Sequence, residues 1–177
     1  HELRLDIRVE AAIDSADAAS VRIDHHPDVQ RMLLSMKSLA EASRALAYFT
    51  AACLDIAHNH PDQAERHQAL GLVELLTPMV KAWSTDLGVE VASTGIQVMG
   101  GMGYVEESGA PQHLRDARIA PIYEGTNGIQ ALDLVSRKVA RDNGAAATRL
   151  LALMRATLSE IDAGLRLQRL DAAENGA

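Results

Sequence analysis

Apolar residues recur every three or four positions along most of the chain, the spacing that places side chains on one face of an α-helix. The first such run begins at Pro27, and proline suits a first helical turn because its missing N–H would be unpaired there. The run ends at residues 59–61, where a second proline opposes its continuation. At ~1.5 Å per residue this helix would be about 45 Å long. Its apolar stripe needs neighbouring helices to cover it, including helices of another subunit.

Three further runs predict a second, third and fourth helix. The second begins at Asp62, which forms a capping-box-like arrangement with Glu65. Residues 77–78, a Thr-Pro pair, predict a break and a restart, because threonine caps helices and proline occupies first turns. The third helix then ends at residues 100–101, both glycine, and a loop with short turns is expected over residues 101–121. The fourth helix is predicted over residues 127–141.

Residues 143–144, an Asn-Gly pair, separate the fourth helix from a fifth over about residues 145–170. Small polar residues follow, and we expect that tail to fray. The predicted fold is therefore all-α: an up-and-down four-helix bundle with an additional C-terminal helix. Residues 1–23 are ambiguous, because alternating apolar residues indicate a strand and an alanine-rich stretch indicates a helix. We divide the chain into this N-terminal segment (1–23), the helical bundle (24–143) and a C-terminal extension (144–177).

Composition and charge narrow the class of protein. Hydrophobic residues make up 47% of the 177 residues and aromatic residues only 3%, which favours closely packed helices in one core. The net charge of −7 argues against a nucleic-acid partner, whose phosphates it would repel. No apolar run approaches the ~20 residues that a membrane span requires. The single cysteine, Cys53, falls in an apolar stripe and is predicted to fill the core; one cysteine suits a reducing, cytoplasmic location.

Seven histidines raise the question of a metal site. His25 and His26 lie near one end of the first predicted helix, and His58 and His60 lie near the other end. They are too far apart to converge on one ion, and neither pair has a third ligand at a suitable spacing. We therefore predict solvated histidines and no metal, in preference to a metal-binding bundle.

One candidate for chemistry is a turn at residues 122–130, which read IYEGTNGIQ. Its carboxylate, Glu124, stands beside a glycine and just before a predicted helix, where it could serve as a base on a flexible turn. The alternative is that Glu124 is a solvated surface charge without a catalytic role. A glycine-rich turn at residues 100–104 precedes it by one loop.

Three blocks of sequence resemble a known family. They are residues 95–104 (GIQVMGGMGY), 114–119 (LRDARI) and 121–126 (PIYEGT). In this order and spacing they resemble the C-terminal helical domain of the acyl-CoA dehydrogenases, over about residues 26–141. Residues 127–134 are similar to the branch that acts on large fatty acyl-CoAs and on 3-methylthiopropanoyl-CoA.

The resemblance implies roles for particular residues. It assigns Glu124 as the catalytic base that takes the α-proton of an acyl thioester while the β-hydrogen leaves as hydride to FAD. It places cofactor contacts at Gln97, Gly100, Gly101 and Thr126. It places Tyr123 and Gly125 on the substrate side, with Gly125 letting the backbone pass close by. Arg115 and Asp116 are predicted to be a structural pair that fixes the loop.

The implied function is that of a C-terminal catalytic and oligomerisation domain of an FAD-dependent acyl-CoA dehydrogenase. The implied partners are an acyl-CoA substrate, an electron-transfer flavoprotein, and further copies of the chain in a homodimer or a homotetramer. Family members also have an N-terminal helical domain and a middle β-domain, for which 177 residues leave no room, so we expect the chain to be a piece of a longer protein. The alternative is an inactive, self-associating helical module.

Overall fold

A computed structural model describes residues 22–174, with side chains described for residues 22–164. Over residues 22–174 the protein contains helices and no strand, so the predicted all-α fold is confirmed there. Most of residues 1–23, for which the prediction was ambiguous, lie outside the described range. The helices are α1 (Pro27–Asn59), α2 (Gln63–Val98), α3 (Gly101–Tyr104), α4 (Ala110–Ile119), α5 (Asn127–Asp133) and α6 (Ala145–Glu174). No helix among these residues combines the length and the apolar character that a membrane span needs.

Helix α1 begins and ends where the sequence predicted. Pro27 is its first residue, and its last turn is closed by the His60 N–H, which donates to the carbonyl of Ile56 at 3.0 Å. Helix α2 follows after a short turn in which the Asp62 carboxylate accepts a hydrogen bond from the N–H of Ala64 at 2.8 Å. That bond is the Asp62 part of the predicted capping box, whereas the N–H of Asp62 donates to the His60 ring and not to Glu65.

The predicted break at residues 77–78 is wrong, because α2 continues through Pro78 as one helix. A proline inside a helix costs about 3 kcal/mol, since it removes one backbone hydrogen bond and crowds the preceding turn. Here Pro78 is itself buried, and the leucines just before it are among the most buried side chains, with Leu76 at 0% and Leu75 at 4% exposure. Burying one such side chain stabilises the fold by about 1.5–3 kcal/mol, so tertiary packing outweighs the local cost.

The prediction of a loop over residues 101–121 is also wrong in part, because these residues include the ten-residue helix α4. Gly109 adopts a left-handed conformation with φ of 77°, and the Ser108 hydroxyl accepts a hydrogen bond from the N–H of Ala110 at 3.2 Å. Pro111 then occupies the first turn. Its inward-facing apolar residues, Ala110, Leu114 and Ala117, lie four and three positions apart, so the helical period is present but covers only about two turns.

The predicted fourth helix divides into α5 and a π-helical segment, Leu134–Val139. Asn143 and Gly144 both have positive φ and separate this segment from α6, as predicted. Helix α6 extends to Glu174, four residues past the predicted end.

The described chain divides into two compact units. The first contains residues 22–48 and 80–127, and the second contains residues 49–79 and 128–174. The second unit includes Cys53, which is buried as predicted, and this burial raises the pKa of its thiol. Every residue that the sequence assigned to catalysis, cofactor or substrate lies in the first unit.

Candidate active site

The turn that carries Glu124 is closed by backbone hydrogen bonds at both ends. The N–H of Tyr123 donates to the carbonyl of Ile119 at 3.1 Å, and the N–H of Asn127 donates to the carbonyl of Pro121 at 3.1 Å. Between these bonds Glu124 and Gly125 both have positive φ, of 55° and 84°. Glycine adopts that conformation readily, whereas a glutamate does so at an energetic cost. The turn therefore holds Glu124 in an unusual backbone conformation.

The side chains that the sequence assigned to this turn are accessible. Glu124 and Thr126 are exposed, and Tyr123 is 50% exposed. Thr126 immediately precedes α5, at the position of an N-terminal cap. The candidate base is thus presented at the surface of the first unit, where a ligand could reach it.

The turn is tied to helix α2 by a polar cluster that sequence reasoning missed. The Lys81 ammonium donates to the carbonyl of Gly125 at 2.7 Å and to the Asn127 side-chain oxygen at 2.9 Å. The Asn127 amide nitrogen in turn lies 3.1 Å from the Thr85 hydroxyl and 2.8 Å from the Asp86 carboxylate. Lys81 and Thr85 are four residues apart in a helix, so they share one face, and that spacing is the signal in the sequence that could have found them.

The glycine turn after α2, at residues 99–103, leaves room for a ligand to approach its backbone closely. Gly100 has φ of 59° and is the left-handed residue that turns the chain, while its N–H donates to the carbonyl of Gln97 at 3.1 Å. A Cβ added at Gly100 or Gly101 would meet no atom within 4 Å, so space is open beside this backbone. The Gln97 side chain is exposed. The structure thus brings these three predicted cofactor residues together at one turn.

Gly103 in the same turn is required for a different reason. A Cβ at this position would lie 2.2 Å from the carbonyl oxygen of Ile96, which is far inside van der Waals contact. The turn therefore packs against the end of α2 at a distance that only glycine allows.

Arg115 does form a structural pair, although its partner is not the one predicted. Its two terminal nitrogens donate to both carboxylate oxygens of Glu106, at 2.7 and 2.8 Å, and this hydrogen bond holds the pKa of Glu106 below its ordinary value. Asp116 instead accepts a hydrogen bond from the Gln112 amide at 2.6 Å. The reason is geometric: adjacent residues of a helix point in different directions, so Arg115 and Asp116 do not face each other.

A cleft of about 560 Å³ opens beside this ion pair. Its apolar wall includes Ile96, Tyr104 and Leu114. None of the residues assigned to catalysis, cofactor or substrate lines it. The cleft is therefore separate from the turn that carries Glu124.

The histidines and acidic residues of the described range do not assemble into a group of three that could hold a metal ion. The His60 ring instead accepts a hydrogen bond from the N–H of Asp62 at 3.2 Å.

Comparisons with known proteins identify the family of this chain. The model of the family described as "Acyl-CoA dehydrogenase, C-terminal domain" matches residues 9–139, starting upstream of the likeness that the sequence blocks indicated. A 3-methylmercaptopropionyl-CoA dehydrogenase of Ruegeria pomeroyi is 49% identical over 152 residues, which cover 86% of this chain and 26% of that protein. A broad-specificity linear acyl-CoA dehydrogenase of Mycobacterium tuberculosis, FadE5, is 36% identical and covers 73% of this chain and 21% of its own length.

A solved structure, titled "Bd2924 apo-form", matches with a TM-score of 0.69 at 28% identity and covers 77% of this chain and 26% of its own. The chain thus spans about a quarter of the length of the relatives that it matches. Since the family model matches well over half of the 177 residues, the chain belongs to the acyl-CoA dehydrogenase family, as its C-terminal domain.

Proposed function

We propose that this protein supplies the catalytic base and part of the FAD site of an acyl-CoA dehydrogenase that forms an α,β-unsaturated acyl-CoA. The observation that carries the proposal is the turn at Glu124. A carboxylate stands exposed on a left-handed backbone, at the position to which the sequence resemblance assigns the base. Non-glycine residues adopt a positive φ uncommonly, and such strained conformations cluster at functional sites.

Glu124 has one task in this reaction, which is to remove a proton from the carbon next to the thioester carbonyl. That proton is weakly acidic, so the base must be held close to it and shielded from water. An apolar acyl chain packed against the turn would exclude water and make the carboxylate a stronger base. Tyr123, half exposed beside Glu124, is proposed to pack near the thioester, and Gly125 lets the substrate approach the backbone.

FAD, when bound, would accept the β-hydrogen as a hydride. Acyl-CoA dehydrogenases are generally flavoproteins, and the residues present here fit such a group. Space is open beside the backbone at Gly100 and Gly101, where the absence of side chains would let the cofactor approach closely. The exposed Gln97 and Thr126 are proposed to add side-chain contacts to the cofactor.

The substrate is proposed to be an acyl-CoA thioester, with electrons leaving to an electron-transfer flavoprotein. The relative from Ruegeria pomeroyi makes 3-methylmercaptopropionyl-CoA the first candidate. A butyryl-CoA dehydrogenase of Syntrophomonas wolfei, 41% identical over 125 residues, makes butyryl-CoA the second.

The full-length protein, purified with FAD, tests the proposal. We expect it to show the visible absorption bands of bound flavin and to lose them when either acyl-CoA is added without oxygen, because two electrons pass to the cofactor. The 177-residue chain alone, incubated with FAD, is the parallel sample. Persistence of the flavin bands with every acyl-CoA would contradict the proposal and favour the alternative of an inactive helical module.

We also propose that the protein self-associates, which is typical of the family. Helix α6 exposes four large apolar side chains at spacings of three and four, an unsatisfied stripe. They are Leu151 (51%), Met154 (55%), Leu158 (64%) and Ile161 (53%). Such a spacing is typical of a seam between two helices.

Leu158→Glu is expected to weaken this self-association, because it would place a carboxylate in the apolar seam. We expect the particle mass, measured by light scattering after size-exclusion chromatography, to fall towards that of a monomer. Ser159→Glu, one position along the same helix, is the matched control and should leave the mass unchanged. An unchanged particle mass for Leu158→Glu would show that the α6 stripe does not form the interface of either a dimer or a tetramer.

A further inference from the structure

A polar cluster joins the Glu124 turn to helix α2 through Gly125 and Asn127. Three side chains and one carbonyl of α2 contact Asn127: the Lys81 ammonium, the Thr85 hydroxyl, the Asp86 carboxylate and the carbonyl of Ala82 at 3.0 Å. Lys81 contacts both Asn127 and the carbonyl of Gly125. The contacts come from residues 81–86, about one and a half turns of one helix.

The position of the Lys81 contact is informative. The Lys81 ammonium donates a hydrogen bond of 2.7 Å to the carbonyl of Gly125, the residue directly after Glu124. A carbonyl held by a charged donor is fixed more firmly than one held by a neutral donor, because charge-assisted hydrogen bonds are shorter and stronger. Fixing this carbonyl fixes the peptide plane after Gly125, and with it the left-handed pair that aims Glu124.

A strained conformation persists only where its surroundings determine it. The bond from the Asn127 N–H to the carbonyl of Pro121 closes the turn without involving the backbone of Glu124 or Gly125. The bond from Lys81 restrains the turn between those two points. Loss of the Lys81 bond removes one restraint from the turn, so we expect Glu124 to shift towards a negative φ and its carboxylate to leave its present position.

We propose that Lys81 is a positioning residue for the catalytic base. It acts through the carbonyl of Gly125 and the side chain of Asn127, and it holds Glu124 where the α-carbon of the substrate must lie. The inference rests on the proposed function, since it presumes that Glu124 is the base. It adds a residue outside the sequence blocks that carry the family likeness, 43 positions upstream of Glu124 in the printed sequence.

The test measures proton removal alone. In the full-length protein with its flavin held reduced, no hydride can be transferred. Uptake of deuterium from D₂O at the α-carbon of the acyl-CoA then reports the base by itself. We expect Lys81→Met, which keeps the length of the side chain and loses its donors, to slow this exchange about 10- to 100-fold, because a shift of ~1 Å in a reacting group can cost about 10²-fold. The dissociation constants of FAD and acyl-CoA should rise much less than the exchange rate falls, because the turn carries only part of each proposed site, whereas proton removal depends on Glu124 alone.

Lys37→Met is the matched control. Lys37 is an exposed lysine of α1 in the same unit, 3.7 Å from Glu41, and its loss should leave exchange unchanged. Lys81→Arg restores a charged donor with a different geometry and should recover part of the rate. Lys81→Gln keeps one neutral donor, and it serves in place of Lys81→Met where that variant yields too little folded protein.

A combined variant separates this inference from the proposed function. In Glu124→Gln, adding Lys81→Met should cause no further loss of exchange, because Lys81 acts only through the base. Exchange at the normal rate in Glu124→Gln would overturn the proposed base itself. Abolished exchange in Glu124→Gln with normal exchange in Lys81→Met would overturn the inference about Lys81 alone. An equal loss of exchange and of FAD binding in Lys81→Met would also overturn it, since that pattern indicates a structural role.

A second readout needs neither substrate nor turnover. Hydrogen–deuterium exchange of the backbone over residues 119–128 should speed up in Lys81→Met, because the bond from the Asn127 N–H to Pro121 loses its support. Exchange over residues 27–45 of α1 should stay the same. Unchanged protection of the turn in Lys81→Met would contradict the inference.

Discussion

Replacing Glu124 with glutamine is expected to lower the rate of acyl-CoA dehydrogenation by about 10²- to 10⁴-fold, the usual contribution of a positioned general base. Glutamine has nearly the same shape and can occupy the same left-handed turn, but it cannot accept the α-proton. The measurement is the rate of flavin reduction after rapid mixing of the full-length protein with acyl-CoA. The affinity for acyl-CoA should change little, because the loss lies in the chemical step.

The matched control for this prediction is Glu90→Gln. Glu90 is an exposed glutamate on α2 in the same unit, and removing its charge should leave flavin reduction unchanged. Thermal unfolding and flavin content of both variants show whether the fold is kept. A rate of flavin reduction in Glu124→Gln within about threefold of that of the natural protein would contradict the role of Glu124 as the base.

The helices that could be predicted from the sequence are those in which local signals and packing agree. Helix α1 is such a case, since a proline at its start, a broad apolar stripe and a second proline after its end all specify one helix, Pro27–Asn59. At Pro78 the local signal and the packing disagree. The buried leucines at positions 72, 75 and 76 keep α2 continuous, and no window of sequence shows how deeply they are buried.

Helix α4 shows the opposite limit. Its signals are a Ser-Gly pair before its first residue and an apolar stripe of only about two turns, and the exposed pair of Arg115 with Glu106 links it to the preceding segment. That pair joins residues nine positions apart across a 3₁₀ turn, a separation that no helical spacing rule covers. A helix of ten residues is therefore hard to recognise from hydrophobic periodicity, because the period repeats too few times.

The candidate site was predictable only where a short motif contains it. Glu124, Gly125 and Thr126 are consecutive, and Gln97, Gly100 and Gly101 fall within five positions, so each set is visible as a block of sequence. Lys81 contacts Gly125 across 44 positions of sequence. A contact of that separation depends on how α2 packs against the turn, which becomes visible only in the structure.

The second large effect is expected at Gly103. Gly103→Ala would place a Cβ 2.2 Å from the carbonyl oxygen of Ile96, so either the glycine turn or the end of α2 must move. Overpacking of this kind typically costs about 1–3 kcal/mol, and the atom in the way is backbone, which cannot rotate aside. We expect the free energy of unfolding, measured with denaturant, to fall by about that amount.

The same displacement should weaken cofactor binding, because Gly100 and Gly101 precede Gly103 in one turn and would move with it. A loss of ~1.4 kcal/mol corresponds to a tenfold weaker FAD affinity, measurable by titration of the apoprotein. Gly88→Ala is the matched control: Gly88 lies within α2 with no atom within 4 Å of an added Cβ, so this change should stabilise the helix by about 0.5–1 kcal/mol. Equal stability and equal FAD affinity in Gly103→Ala and the natural protein would show that this close approach does not set the position of the cofactor turn. Destabilisation with unchanged FAD affinity would separate the packing of the turn from its proposed binding role.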